Sequence, residues 1–289
     1  MRPFVAVAAM AALLTSPALA ASPLTIVAAE NFYGDIAQQI GGPDVKVTSI
    51  LSNPDQDPHL FEASPSVARA LSGARIVIFN GIDYDPWMEK LLRASKSSDR
   101  EEIVVADLIG KKSGENPHIW YDPHTMLTFA KALTDALIAT DPANNVQYTR
   151  GLATFQASLE PILEKTAALK VRLSGVQATA TEPVFGYMFA ALGMQVRNEA
   201  FQLAVMNDTE PSASEVASFE DDLKNHKVEL LVYNSQAANP ISVRMKDLAR
   251  ASKIPIVGAA ETEPAGKTYQ AWMASELDAV DKALPYVTQ

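Results

Sequence analysis

The sequence predicts an α/β fold of two parallel-sheet lobes joined by one long backbone helix, with a binding site in the cleft between the lobes. Three observations point there: β-rich runs alternate with helical stretches up to residue 140, the alternation resumes after residue 175, and the span between has no strand signal. In the first half LTIVAA, KVTSIL, RIVIFNG and EEIVVADL read as strands. The helical stretches that follow them are NFYGDIAQQIGG, SPSVARALSGA, PWMEKLLRAS and TMLTFAKALTDALIAT. In the second half the strands are VQATATE, MQVRNEAF, VELLVYN and IPIVGAA, and the helices PVFGYMFAAL, SASEVASFEDDLKNH, ISVRMKDLARASK and TYQAWMASELDAVDKAL. Such alternation gives parallel strands with helices on both faces.

Residues 142–174 keep apolar positions at helical spacing, with Pro142 near the start and Gly175 just past the end. At 1.5 Å per residue this helix is roughly 45 Å long, enough to run beside both lobes. Pro161 lies inside it and removes a backbone donor, so a kink or break is expected there. The predicted organisation is a leader at 1–20, a first lobe at 21–141, the helix at 142–174 and a second lobe at 175–289.

The leader carries Arg2, an apolar run from Phe4 to Leu14 and a small-residue ending at Ala20, the pattern of an export signal cleaved near Ala20. No later run reaches the eighteen or so apolar residues of a membrane span, so the mature chain is not expected to be membrane-embedded. The chain has no cysteine, which excludes disulfides and thioether lipid attachment and leaves a freely diffusing periplasmic monomer as the expectation. Its formal charge of −10 argues against a nucleic-acid partner, because binding there depends on Lys and Arg neutralising phosphates.

Only four histidines occur, and two stand directly behind prolines: His59 in DPHLF and His118 in NPHIW. Each follows a strand, where open α/β sheets place ligands, and proline stiffens the loop that delivers the ring. A loop histidine taken alone is most often solvated; two in matching contexts suggest a metal site. The equivalent strand ends of the second half offer Glu182 after VQATAT and Glu261 in AAETEP. Two neutral imidazoles and two carboxylates match the charge of a divalent ion and complete a four-coordinate shell. Locally, Glu182 reads as well as a helix N-terminal charge, and Glu261 as a solvent-facing loop residue. His124 fits a helix start and His226 a helix C-terminus, whereas Glu30 and Asn31 are placed to support a ligand by hydrogen bonding. Trp87, Trp120 and Trp272 read as core residues or as shields of the site.

The strings DPHLFEASPS, RIVIFNGIDYDPWMEKLL, NPHIWYDP, TEPVFGYMFAALG and ETEPAGKTYQAWM, in that order, resemble the cluster A-I solute-binding proteins of bacterial zinc and manganese ABC transporters. The resemblance covers the mature chain. It implies a transition metal, Mn2+ or Zn2+, carried as cargo to a membrane ABC permease, with ligands at His59, His118, Glu182 and Glu261. Two departures stand out. IGKKSGEN is short and lacks the histidine-rich insert of many zinc-specific members, and the last acidic ligand, typically Asp, falls here on Glu261 or on nearby Glu263. A site rich in oxygen donors leans toward manganese, while the Irving–Williams order favours zinc.

An exported metal-dependent hydrolase using two His and one Glu is the enzyme alternative, but no H-E-x-x-H, G-x-S-x-G or cysteine nucleophile supports it. A binder of a bulkier metal chelate is the other. With a continuous helix between the lobes, little hinge motion is expected, and release by local movement of the carboxylate loops.

Overall fold

The computed structural model describes residues 22–53, 61, 64–237 and 239–285. Its first sheet is built from β1 (Leu24–Glu30), β2 (Val45–Leu51), β3 (Ile76–Phe79) and β4 (Glu101–Val104), all parallel, in the order β2-β1-β3-β4. The second contains β5 (Gln177–Ala180), β6 (Gln195–Arg197), β7 (Leu230–Asn234) and β8 (Ile256–Ala259), also parallel, in the order β6-β5-β7-β8. The two sheets share one topology. In each, the order reverses between the first and third strands, and the carboxyl ends flanking that reversal are where such sheets bind ligands. Central strands are buried on both faces, which is why LTIVAA and IVIF are almost wholly apolar, while β2 at the edge alternates.

The helices fall largely where periodicity places them. α1 (Asn31–Gly41), α2 (Pro65–Ser72), α3 (Pro86–Ala94) and a single turn α4 (Val105–Leu108) belong to the first half, with α5 (Pro123–Thr140) closing it. α6 (Asn145–Leu173) then runs between the sheets. It buries Phe155, Leu159, Ile162, Thr166, Leu169 and Leu173 at alternating spacings of three and four, the signature of one apolar stripe. α7 (Gly186–Ala191), α8 (Glu199–Met206), α9 (Ala213–Lys224), α10 (Pro240–Ala251) and α11 (Tyr269–Ala283) complete the second half.

Three local expectations are corrected. MQVRNEAF is a strand only at Gln195–Arg197: Asn198 takes a left-handed φ of 61° and bonds Thr179 and Asp222, and α8 begins after it. The strand reading of EEIVVADL ends at Val104, because the Ala106 amide bonds the Asn80 carbonyl beyond the end of β3 and turns the chain into α4. Pro161 does not break α6. Both Pro161 and Ala157, whose carbonyl loses its donor, lie on the exposed face, where the orphan oxygen is open to solvent.

α6 packs on α1, α5 and α11, and so ties elements of both halves together. Its approach to α1 is close at Gly151, where an added Cβ would sit 2.1 Å from the Ile40 carbonyl oxygen. One apolar core continues from the first sheet into the second through buried aromatic rings. Phe32 lies 4.9 Å from Trp120, Tyr121 lies 5.1 Å from Phe185 and 5.6 Å from Trp272, and Phe185 lies 5.2 Å from Phe189. Polar clasps reinforce the seam: Tyr121 Oη donates to the Ala260 carbonyl at 2.7 Å and Tyr269 Oη to the Trp120 carbonyl at 2.8 Å. Trp120 and Trp272 are thus core residues, as one of the two readings had them.

Beside this core Glu276 is buried and accepts the Trp272 indole N–H at 3.0 Å. Burial raises its carboxyl to about 7, and the indole bond and the Lys267 charge only partly counter that. A carboxyl raised above its unfolded value binds a proton more tightly in the fold, so it contributes stability at low pH that is lost as pH climbs from the ordinary glutamate range through 7. Glu276→Gln keeps an acceptor for the indole and removes the titration. Thermal midpoints of the variant and parent should therefore nearly coincide at pH 4.5, separate in favour of the variant as pH rises, and stay separated by a constant amount above pH 7; a gap independent of pH would contradict this origin.

Candidate metal centre

Where the two sheets meet carboxyl edge to carboxyl edge, polar side chains interrupt the core. His118 follows Pro117 and leads into a short 3-10 turn at Ile119–Tyr121. Pro117 is anchored from behind, its carbonyl accepting from Asn80 Nδ2 at 3.0 Å. The imidazole is fully buried, edge-on to Trp120 at 5.2 Å and to Tyr84 at 6.0 Å.

Its tautomer follows from its neighbours. Asn116 Nδ2 donates to the Pro183 carbonyl at 2.8 Å, which turns Asn116 Oδ1 toward the ring. That oxygen lies 2.7 Å from His118 Nδ1, so Nδ1 carries the proton and Nε2 presents a lone pair. Nε2 is buried without a hydrogen-bond partner among the described residues. An imidazole oriented by an amide oxygen behind it, with its free nitrogen forward, is the arrangement of a metal ligand.

The carboxylates approach from the second half. Glu261 is fully buried, and its Oε1 lies 3.6 Å from His118 Nε2. That is long for a hydrogen bond, but it suits two donors on one ion, since two bonds of about 2.0–2.1 Å at the tetrahedral angle hold their outer atoms about 3.3 Å apart. Glu261 Oε2 accepts from Tyr84 Oη at 3.1 Å. The Glu261 loop is clamped by Gln236, whose Oε1 accepts the Glu261 amide at 2.5 Å and the Thr262 amide at 3.1 Å. Glu182 is nearly as buried, lying in extended backbone before Pro183, two residues beyond β5. Asn234, the last residue of β7, joins the two acids: its Nδ2 donates to Glu182 Oε2 at 2.9 Å and to Glu261 Oε1 at 2.5 Å.

One nitrogen touching both acids keeps them within the sum of those two bonds. The shared donor holds the two carboxyl groups together and, being neutral, adds no positive charge of its own to the site.

Of the four residues assigned from sequence, the structure sets His118 beside Glu261 and links Glu261 to Glu182 through Asn234. His59 lies outside the described residues. Among the described residues no three His, Asp or Glu side chains converge closely enough to hold a metal by themselves. Glu263 is placed differently from Glu261. Asn31 grips its peptide at both ends, with Nδ2 donating to the Glu263 carbonyl at 2.7 Å and Oδ1 accepting its amide at 3.0 Å. Burial and then the Asp35 charge push the Glu263 carboxyl up to about 9.

Asn31 thus supports the acidic loop through the backbone, not an imidazole. Among the described residues neither Glu30 carboxyl oxygen has a hydrogen-bond partner of normal geometry; burial, then the Asp85 charge, raises its carboxyl well above the usual range. Asp85 accepts the Asn80 and Gly81 amides at 2.7 and 2.8 Å, and burial still lifts it to about 6. His124 is exposed at the start of α5, with its amide on Asp122 Oδ1 at 2.9 Å, and His226 is exposed beyond the end of α9. Sequence reasoning missed Asn116, Asn234, Tyr84 and Gln236.

Two sheets of identical order, one connecting helix and a buried imidazole facing carboxylates across the seam make the build of a helix-linked two-lobed binding protein. Residues 26–283 match the family model described as ZnuA, zinc-uptake complex component A periplasmic, and the chain belongs to that family. It is 26% identical over 288 residues, 93% of each chain, to the metal ABC transporter substrate-binding lipoprotein SloC of Streptococcus mutans. It is 27% identical over 284 residues to the iron ABC transporter substrate-binding lipoprotein MtsA of Streptococcus pyogenes, covering 90% of this chain and 89% of that one. Among solved structures, a manganese-bound serine-to-alanine mutant of a periplasmic metal-binding protein from Candidatus Liberibacter asiaticus aligns with a TM-score of 0.75 at 19% identity, covering 90% of this chain and 99% of that one. The fold expected from sequence is the fold of these proteins. No relative cited here is a hydrolase.

Removing the support of the imidazole should weaken the site without dismantling it. Asn116→Ala is expected to lower metal affinity about 10–100-fold, the usual effect of deleting an outer hydrogen bond to a ligand histidine, as read by competition with a chromogenic chelator. Parental affinity in that variant would remove Asn116 from the account.

Proposed function

We propose that this protein is exported to the periplasm, binds one divalent transition-metal ion, manganese or zinc, and delivers it to a membrane ABC permease. The observation that carries this is the fully buried Nε2 of His118, without a hydrogen-bond partner among the described residues and standing 3.6 Å from Glu261 Oε1 across the seam. An imidazole lone pair left without a donor in a dry site is costly unless a cation completes it. The proposed ligands are His59 and His118 from a first lobe at 21–141, and Glu182 and Glu261 from a second at 175–289, with the helix at 142–174 as the backbone between them. Glu261 is preferred to Glu263 because it meets His118 directly. Binding, not turnover, is the role: two imidazoles and two carboxylates fill a tetrahedral shell and leave no open position on the ion.

The relatives' names extend the reading without narrowing the cargo, since they refer to zinc uptake, to iron and to an unspecified metal. The permease partner and the periplasmic address rest on those names and on the export-signal pattern that ends at Ala20. Isothermal titration of the mature protein with Mn2+ and Zn2+ should show one ion per chain. His118→Ala and Glu261→Ala should each weaken binding by more than about 100-fold, while the exposed His124→Ala leaves it unchanged. Tight 1:1 binding that survives His118→Ala would dismiss the assignment.

A further inference from the structure

We infer that Glu30 and Asp85 form a buried carboxyl pair sharing one proton, carried by Glu30, and that the pair positions His118 by holding the turn after β3. The inference rests on the reading of His118 as a ligand and concerns two side chains outside the proposed ligand set. Glu30 is the last residue of β1, Asp85 directly precedes α3, and both are almost wholly buried. The turn between β3 and α3 is strained: Gly81, Ile82 and Asp83 all have left-handed φ, of 76°, 54° and 65°. A β-branched residue such as Ile82 meets steric opposition there, so the conformation persists only where its surroundings impose it.

Asp85 imposes it. Its Oδ2 accepts the Asn80 amide at 2.7 Å and its Oδ1 the Gly81 amide at 2.8 Å, so each oxygen closes the turn on one peptide. A carboxylate that accepts two backbone donors favours its charged form. Glu30 stands against Asp85, and among the described residues neither of its oxygens receives a donor in normal geometry. Neighbouring carboxyls in a dry interior do not both ionise. The unequal supply of donors puts the charge on Asp85 and the proton on Glu30, which donates it to Asp85 in a hydrogen bond. The phenols of Tyr33 and Tyr84 also face the pair, and burial keeps both protonated. Held at its amide, Asn80 is fixed at its side chain as well. Tyr33 Oη donates to its Oδ1 at 2.6 Å, and its Nδ2 donates at 3.0 Å to the carbonyl of Pro117, the residue before His118. One asparagine thus links the acid pair to the backbone that delivers the imidazole.

The test compares the mature protein with Glu30→Gln, Glu30→Ala and Asp85→Asn. At neutral pH the infrared difference spectrum between the parent and Glu30→Gln should show the C=O stretch of a protonated carboxyl, a band that ionised carboxylates lack. Its absence would overturn the placing of the proton. Glutamine can replace a neutral acid as donor to Asp85 and alanine cannot, while asparagine in place of Asp85 offers one acceptor for two amides. Zinc affinity by chelator competition should therefore fall about 10–100-fold in Glu30→Ala and Asp85→Asn, with most of the loss restored in Glu30→Gln. Glutamine as damaging as alanine would show that the site uses the charge of Glu30, and parental affinity in every variant would show that the pair positions nothing; either overturns the inference. If the alanine and asparagine variants fail to fold by circular dichroism, Glu30→Gln decides alone, and a loss of tenfold or more in it overturns the inference. His118→Ala keeps the two readings apart. Binding that survives that change sinks the ligand assignment and leaves the infrared band to judge the pair; binding abolished by it, with the Glu30 band missing, sinks the present inference alone.

Discussion

The structure depends on a single apolar core that does not stop at the boundary between the sheets. Phe32, Trp120, Tyr121, Phe185 and Trp272 form an unbroken series of ring contacts from one half of the chain to the other. Truncating any one of these rings to alanine belongs to the class of changes that cost about 3–5 kcal/mol, a large share of what holds a domain folded. The carboxyl edges of the two sheets are therefore held at a fixed separation before any ligand arrives. α6 adds to this from outside, packing on α1, α5 and α11 and approaching α1 closely at Gly151.

Given that frame, the chemistry of the site follows from burial. A carboxylate and an imidazole in a dry interior require partners, and the chain supplies them in an uneven way: the acids receive donors from Asn234 and Tyr84, while the imidazole has an acceptor on one nitrogen and no partner among the described residues on the other. A cation between Nε2 and the Glu261 oxygen would resolve the imbalance, and side chains oriented in advance lose little conformational entropy on binding. The price of holding the site ready is a group of buried acids, of which Asp85 is kept above its usual range by burial, and Glu30 and Glu263 by burial and then a neighbouring charge.

Most of the fold was legible in the sequence because parallel strands buried on both faces are written as continuous apolar runs and amphipathic helices as stripes. What failed was local. β6 is a three-residue edge strand, and its boundary is set by the left-handed Asn198 and its bonds to Thr179 and Asp222, which no window of the sequence displays. Pro161 suggested a kink or break, and the break does not occur because its cost depends on which face it occupies, which is known only once α6 has packed. At the site, the rule that ligands lie beyond strand ends pointed to His118, Glu182 and Glu261, which lie beside the carboxyl edges of the sheets with Asn234 between the two acids. The amides escaped it, since asparagine and glutamine are ordinary loop residues. One signal was available: at the end of the third strand of each half the chain reads an apolar residue, an aromatic ring and asparagine, IFN at 78–80, where Asn80 directly follows β3, and VYN at 232–234. In the first half Asn80 secures the peptide before His118; in the second Asn234 secures the acids.

A shared core of this kind predicts that cargo is gained and lost by movement of side chains and short loops within a frame that keeps its dimensions. The chain has no cysteine, so a pair of spin labels can be introduced cleanly at Lys90→Cys on α3 and Lys224→Cys on α9, both exposed and on opposite halves. The distance distribution between them, recorded by pulsed electron resonance with chelator and with saturating Zn2+, measures the frame directly. Superimposable distributions are the predicted result; a shift of several ångströms on adding the ion would show that the halves swing apart, and would contradict the rigid seam on which the account is built.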